Sequence, residues 1–258
     1  MTRFVDDLRA QVLRLQVNLY GCRERLTAAT DSEALHDLRI TLRKLRSLLR
    51  PLQGLAACAA VQQRAADLGR LSGPLRDLEV LLAHLQATGM TSALNERQMR
   101  LREGYALLLG SKPLQAVFVE LDAWPELWRQ SEANGELRGM RKQVRRRLAK
   151  QQRRLAAALI DPAHDRHRLR LLIKRVRYSA EAYPALSGLC ATAQAHLKAA
   201  QSELGDWHDH LQWLARAELE SDLAPCVAAW RSALLAAEQR ADQALSTLQA
   251  DFPPVSPG

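Results

Sequence analysis

The sequence has little from which to build β-structure. Isoleucine occurs three times in 258 residues and no alternating run of β-branched side chains appears, so strands are not expected. No apolar run approaches the roughly 18 residues that would cross a bilayer, and aromatic residues make up only 5% of the chain. Cys22, Cys58, Cys190 and Cys226 form no C-x-x-C pair and no short disulfide framework, which reads as buried, inert thiols in a reducing compartment. The first residues, Met1 to Asp7, carry acids where a secretory leader would be basic and then apolar, so a cytoplasmic location is expected. Lysine is scarce as well, 6 against 31 arginines. A GC-rich genome gives such a ratio, and so does bidentate phosphate recognition; placement has to decide.

What remains is helix-forming. Hydrophobic residues make up 47% of the chain, with leucine, alanine, arginine, glutamine and glutamate dominant, and an all-α fold is expected, as one large domain or two of about 130 residues. Thr30-Asp-Ser-Glu33 resembles a capping box opening a helix that Pro51 and Gly54 close. Asp161-Pro162 reads as an N-cap followed by proline at the first helical position, with Pro184 and Ser187-Gly188 closing that helix. Further breaks or kinks are expected at Gly73-Pro74, Gly89, Gly110 to Pro113, Trp124-Pro125, Asn134-Gly135, Gly205 and Pro225. The stretch from Phe252 to Gly258 is expected to fray.

The net charge of +9 hides a larger imbalance. Arg138 to Arg177 holds 15 basic and 2 acidic residues, and His36 to Arg50 holds 5 basic residues against Asp37 alone. The rest of the chain sums to −8. The protein reads as an acidic scaffold with two basic inserts.

Those inserts are related. At an offset of 131 residues, His36-Asp-Leu-Arg-Ile-Thr-Leu-Arg-Lys-Leu-Arg46 falls on His167-Arg-Leu-Arg-Leu-Leu-Ile-Lys-Arg-Val-Arg177. At an offset of 132, Cys58, Gln62, Gly73, Asp77 and Leu82 fall on Cys190, Gln194, Gly205, Asp209 and Leu214. Two blocks in the same order point to a tandem duplication of a helical bundle, with its seam near Ser131 to Gly135.

On a helix, positions alternately three and four apart share a face. His36, Arg39, Arg43, Arg46 and Arg50 have that spacing and form a cationic stripe roughly 21 Å long at 1.5 Å per residue. Leu35, Leu38, Leu42, Leu45 and Leu49, each one position earlier, form an adjoining apolar stripe. The second copy sets His167, Arg170, Lys174 and Arg177 beside Leu169, Ile173, Val176 and Ala180. A merely solvated basic face would carry acids four residues from its arginines, and neither stripe has one before Glu181. An anion-binding face follows. Arg138, Arg141 and Arg145, spaced three and four apart, are candidates to join it.

The two H-x-x-R-x-x-x-[RK]-[RK]-x-R helices, Arg177-Tyr178 followed by Glu181, and the segments Leu75-Arg-Asp-Leu-Glu-Val80 and Leu204-Gly-Asp-Trp-His-Asp209 together resemble the CHAD domain, the conserved-histidine α-helical domain. The resemblance implies two pseudo-symmetric helical bundles packed around a basic groove or pore that binds inorganic polyphosphate, often on polyphosphate granules. On this chain the domain spans 1–252, with halves 1–132 and 133–252 and a disordered tail at 253–258. The implied binding residues are His36, Arg39, Arg43, Lys44 and Arg46, with His167, Arg170, Lys174, Arg175 and Arg177. Many relatives also carry a triphosphate-handling CYTH domain, for which this sequence has no room. At position 208 relatives often have asparagine, which leaves His208-Asp209-His210 outside the resemblance.

Each stripe histidine could donate to phosphate when protonated or be a neutral group satisfied by a neighbour. Tyr178 is expected to pack, Glu181 to orient a basic neighbour, and Asp77 and Asp209 to hold basic side chains from behind. Nucleic acid is a possible non-specific partner through its phosphates, although Tyr178 is the one aromatic of the basic segments and stacking platforms are missing. Phosphoryl-transfer catalysis would need metal-holding carboxylates beside the cations, and the stripes supply none. His164-x-x-His167 and His208-x-His210 lack an assured third metal ligand. The expectation is a binding module that is not an enzyme, with no cofactor, no metal and no membrane.

Overall fold

The structure is a computed structural model that describes residues 2–29, 31–161 and 165–253. The described residues are helical throughout, with no strand. They divide into two compact units, Met1–Val144 and Arg145–Gly258. The boundary falls inside a helix, twelve residues beyond the end of the first sequence half.

The first unit contains α1 (Thr2–Ala28), α2 (Ala34–Leu49), a 3-10 turn (Arg50–Leu52), α3 (Ala56–Leu71), α4 (Gly73–Ala87), a 3-10 turn (Thr91–Ala93), α5 (Asn95–Leu109), α6 (Lys112–Ala133) and the start of α7 (Met140–Leu159). Helix α2 packs against α1 and α3, α3 against α6, and α4 against α5. The leucines expected to turn inward do so: Leu35, Leu38, Leu42, Leu45 and Leu49 are at most 2% exposed. Burying five leucine side chains contributes about 1.5–3 kcal/mol each before entropy is counted, and this anchors the face beside them. Trp124 and Trp128, stacked at 4.9 Å, fill the core below α6. Pro125 lies inside α6 without ending it, because the two tryptophans on either side are fully buried and their packing outweighs the lost hydrogen bond.

The second unit contains α8 (Arg166–Ala182), the short α9 (Pro184–Ser187), α10 (Ala191–Ala217), a 3-10 turn (Ser221–Cys226) and α11 (Val227–Gln249). Helices α10 and α11 run antiparallel: Glu203 meets Arg240 near one end, and Trp213 meets Trp230 nearer the other. Helix α8 lies on α10 with Leu169, Ile173, Val176 and Ala180 buried as the pattern required.

Local expectations need several corrections. Helix α2 starts after Glu33, which makes no side-chain cap; instead Asp31 accepts from the Glu33 backbone N–H at 2.9 Å, and Thr30 lies outside the described residues. Helix α8 is capped by Asp165, whose Oδ1 accepts from the His167 N–H at 2.8 Å, and not by Asp161; Pro162 lies outside the described residues. Gly205 does not break α10, since no proline follows it as Pro74 follows Gly73, and a lone glycine costs a helix only about 1 kcal/mol. Cys190 is exposed rather than buried and caps α10 through its sulfur. Phe252 does not fray: it is 5% exposed and packs in the core of the second unit, while residues 254–258 lie outside the described residues.

Candidate anion-binding faces

In the first unit, α2 carries His36, Arg39, Arg43 and Arg46 along one half-buried row, and Arg50 continues it from the 3-10 turn. Lys44 is exposed, one step further round the helix. Arg39 Nη1 donates to the Gly69 carbonyl and to Ser72 Oγ, both at 2.9 Å. Burial draws the Arg39 pKa down, the Asp77 charge pulls it back up, and the neighbouring Arg76 and Arg43 push it down again. Asp77 therefore backs this arginine electrostatically, as expected. Asp37, the one acid on α2, is engaged by Arg25 at 2.8 Å, and Arg25 also grips Asp31. The carboxylate that could have neutralised the row is held on another partner.

In the second unit, His167 is exposed, Arg170, Lys174 and Arg177 are half-buried, and Arg175 is exposed beside the row. Arg177 is held on three sides. Its Nε donates to Gln201 Oε1 at 2.8 Å, its Nη1 pairs with Glu181 at 2.9 Å, and its guanidinium lies 4.7 Å from the Tyr178 ring centroid. Tyr178 is buried, so it packs and Glu181 orients, as the sequence suggested. Such holding removes rotamer entropy that a ligand would otherwise have to overcome.

One residue the sequence left unassigned belongs with this face. The His208 ring on α10 stands 5.7 Å from the His167 ring, and its Nδ1 is buried without a hydrogen-bond partner. Burial pushes the His208 pKa down to about 4, and Arg170, His167 and Lys174 push it the same way. The imidazole is neutral at neutral pH.

Two positions correspond between the faces. Gly69 and Gln201 are 132 residues apart. A Cβ on Gly69 would lie 3.6 Å from Arg46 Nη1, and Gln201 bonds Arg177, the residue that aligns with Arg46. Arg76 and His208 also stand 132 apart, and each acts electrostatically on the first arginine or its neighbours in its own row. Gly69, Ser72 and Gln201 carried no sequence signal of their own, and His208 stood out only as a departure from the resemblance and in His208-x-His210.

The third candidate group does not form a helical row. Arg138 lies in the turn before α7, off the helix that carries Arg141 and Arg145, and all three are exposed. Arg145 also falls in the other unit from Arg138 and Arg141. Among the described residues no three His, Cys, Asp or Glu side chains gather to hold a metal ion. His210 Nδ1 is engaged by the Asp206 carbonyl at 2.8 Å, and His164 lies outside the described residues. No described helix is long and apolar enough to cross a membrane. The first unit also has a cavity of about 620 Å³ bordered by Leu26, Leu101, Arg102, Arg76, Glu79 and Tyr105. In its wall Glu79 accepts from Arg76 at 2.8 Å and from the Tyr105 hydroxyl.

Residues 8–219 match the CHAD domain family. The chain belongs to that family. The fold matches the crystal structure of the CHAD domain from the plant Ricinus communis with a TM-score of 0.70 and 25% identity, over 96% of this chain and 91% of that one. No match is found among curated proteins. Both cationic rows and His208 lie inside the span of the CHAD match. Helix α11 lies beyond it, yet Ala237, Ala241, Leu245 and Leu248 close the core on which α8 and α10 rest.

Proposed function

We propose that this CHAD domain binds inorganic polyphosphate and does not turn it over. The observation that carries the reading is the pair of rows on α2 and α8: mostly half-buried basic side chains at three- and four-residue spacing, with no acid within either row before Glu181, each set beside a buried apolar stripe. Like charges at three- and four-residue spacing repel by a few tenths of a kcal/mol per pair when exposed, and more when partly desolvated. A flexible polyanion reverses that sign. Arginines offer forked donors to phosphate oxygens and Lys174 a point charge. The matched positions of the two faces support a tandem duplication as the origin of both rows, and the basic rows together with family membership support attachment to polyphosphate granules in the cytoplasm.

Backbone binding of nucleic acid uses the same cations. Against a single-strand mode stands Tyr178, which is buried against Arg177 and presents no stacking face. The test is a titration with long-chain polyphosphate and with DNA of equal charge at several salt concentrations. Tighter binding of polyphosphate at every salt is expected, and equal affinity for both would refute selectivity. Incubation with polyphosphate and a divalent metal ion is expected to release no phosphate; sustained release would refute the binding-only reading.

A further inference from the structure

His208 sits in a place where a neutral imidazole is poorly served. Its Nδ1 is buried with no acceptor or donor opposite, and the ring packs against His167 at 5.7 Å and Trp207 at 6.3 Å. Among the described residues, the charges that act on it are those of Arg170, His167 and Lys174, all on α8. From α11, Arg240 is paired with Glu203 at 2.7 Å and Asp206 at 3.5 Å. The corresponding position of the first unit is Arg76, a permanent cation whose charge is balanced by Glu79 three residues on. The residue three beyond His208 is Leu211, so the second unit has a titratable base where the first has a fixed charge, and no carboxylate there to charge it.

We propose that His208 takes up a proton when a phosphate chain occupies the α8 row, so that ligand and proton bind cooperatively at this face. The inference rests on the polyphosphate reading and adds a regulation to it. Without ligand, burial together with Arg170, His167 and Lys174 on α8 holds the ring neutral. Anionic oxygens laid along Arg170 and Lys174 replace net positive potential by negative, which favours the charged form of the ring. By linkage, affinity rises as pH falls, up to tenfold per pH unit for one proton. Taking the ring from about 4 to an ordinary 6.5 in the complex, binding tightens about tenfold between pH 7.5 and 5.5 through this group alone.

The experiment measures long-chain polyphosphate binding at both pH values for the full chain and for His208→Asn, which keeps a polar side chain of similar size and leaves His36 and His167 in place. The wild type is expected to tighten about tenfold more than the variant across that range. The ring pKa of His208, followed by NMR in the unsubstituted protein, is expected to rise from about 4 toward 6.5 on saturation with polyphosphate. Equal pH dependence in the two proteins, or an unmoved ring pKa in the saturated complex, overturns the proposal while leaving polyphosphate binding intact. Absence of binding by both proteins at either pH overturns the binding reading and this proposal with it.

Discussion

Neutralising one cation in each row, Arg43→Gln with Lys174→Gln, separates a dedicated face from a generally basic surface. Both side chains are half-buried within their rows. A charge-assisted hydrogen bond to phosphate contributes about 1.5–3 kcal/mol, so losing two costs about 3–6 kcal/mol and weakens binding by two to four powers of ten. The control removes the same charge at Arg70 and Arg129, whose side chains are 70% and 65% exposed and paired with Asp67 and Glu126. At physiological salt the screening length is about 8 Å, and a loss under about threefold is expected there. Arg97 would make a poor control, being 3% exposed with its guanidinium bonded to the Ala93 carbonyl. The assay is a polyphosphate titration at four salt concentrations, with thermal unfolding to check that each variant folds. The slope of log K against log salt should become shallower by about 0.7–0.9 for each phosphate that the rows no longer neutralise, and it should stay unchanged in the control. Equal losses for the two pairs would refute the argument from the rows.

Other perturbations read the surroundings. Gln201→Ala releases Arg177 Nε and should weaken polyphosphate binding about two- to tenfold, the cost of ordering one long side chain, with the unfolding midpoint nearly unchanged. Tyr105→Phe removes the hydroxyl bonded to the buried Glu79 carboxylate and should cost about 1.5–3 kcal/mol in denaturant unfolding. Burial first and Glu79 second hold the Tyr105 phenol above its usual range, so its stability contribution is present below about pH 10 and lost as pH rises further; the variant should flatten that alkaline limb. What remains of the limb belongs partly to Cys58, which burial pushes up to about 12. The imidazole of His208, depressed to about 4, contributes stability that is present above about pH 6.5 and lost as pH falls toward 4. Unfolding of the free protein should show that acid limb, and His208→Asn should reduce it.

The rows were legible because the information in them is periodic. Leu35 to Leu49 and His36 to Arg50 differ by one position, and a helix converts that difference into an angle of about 100° that burial then fixes. Helix termini were less legible, because a cap depends on which of several nearby acids reaches an N–H: Asp165 competes with Asp161, and Asp31 with Glu33. Arg138 has the right spacing from Arg141 but precedes the helix, and spacing has meaning only within one element. His208 could not be placed for a different reason. Its environment is assembled by α8, about 40 residues earlier in the chain, and an imidazole next to tryptophan and aspartate in a sequence carries no sign of which cations will face it.

The Ser72 junction gives the two faces different mechanics. In the second unit α10 is a single 27-residue rod, so the row on α8 rests against an unbroken support. In the first unit the helix that supports α2 ends at Leu71, and Arg39 donates to Gly69 in its last turn and to Ser72 at the junction with α4. Any phosphate that drew the Arg39 guanidinium outward would remove these bonds from the junction, loosening α4 against α3. If polyphosphate engages Arg39, hydrogen exchange at Leu68 to Arg76 is expected to quicken, with no matching change along the uninterrupted α10.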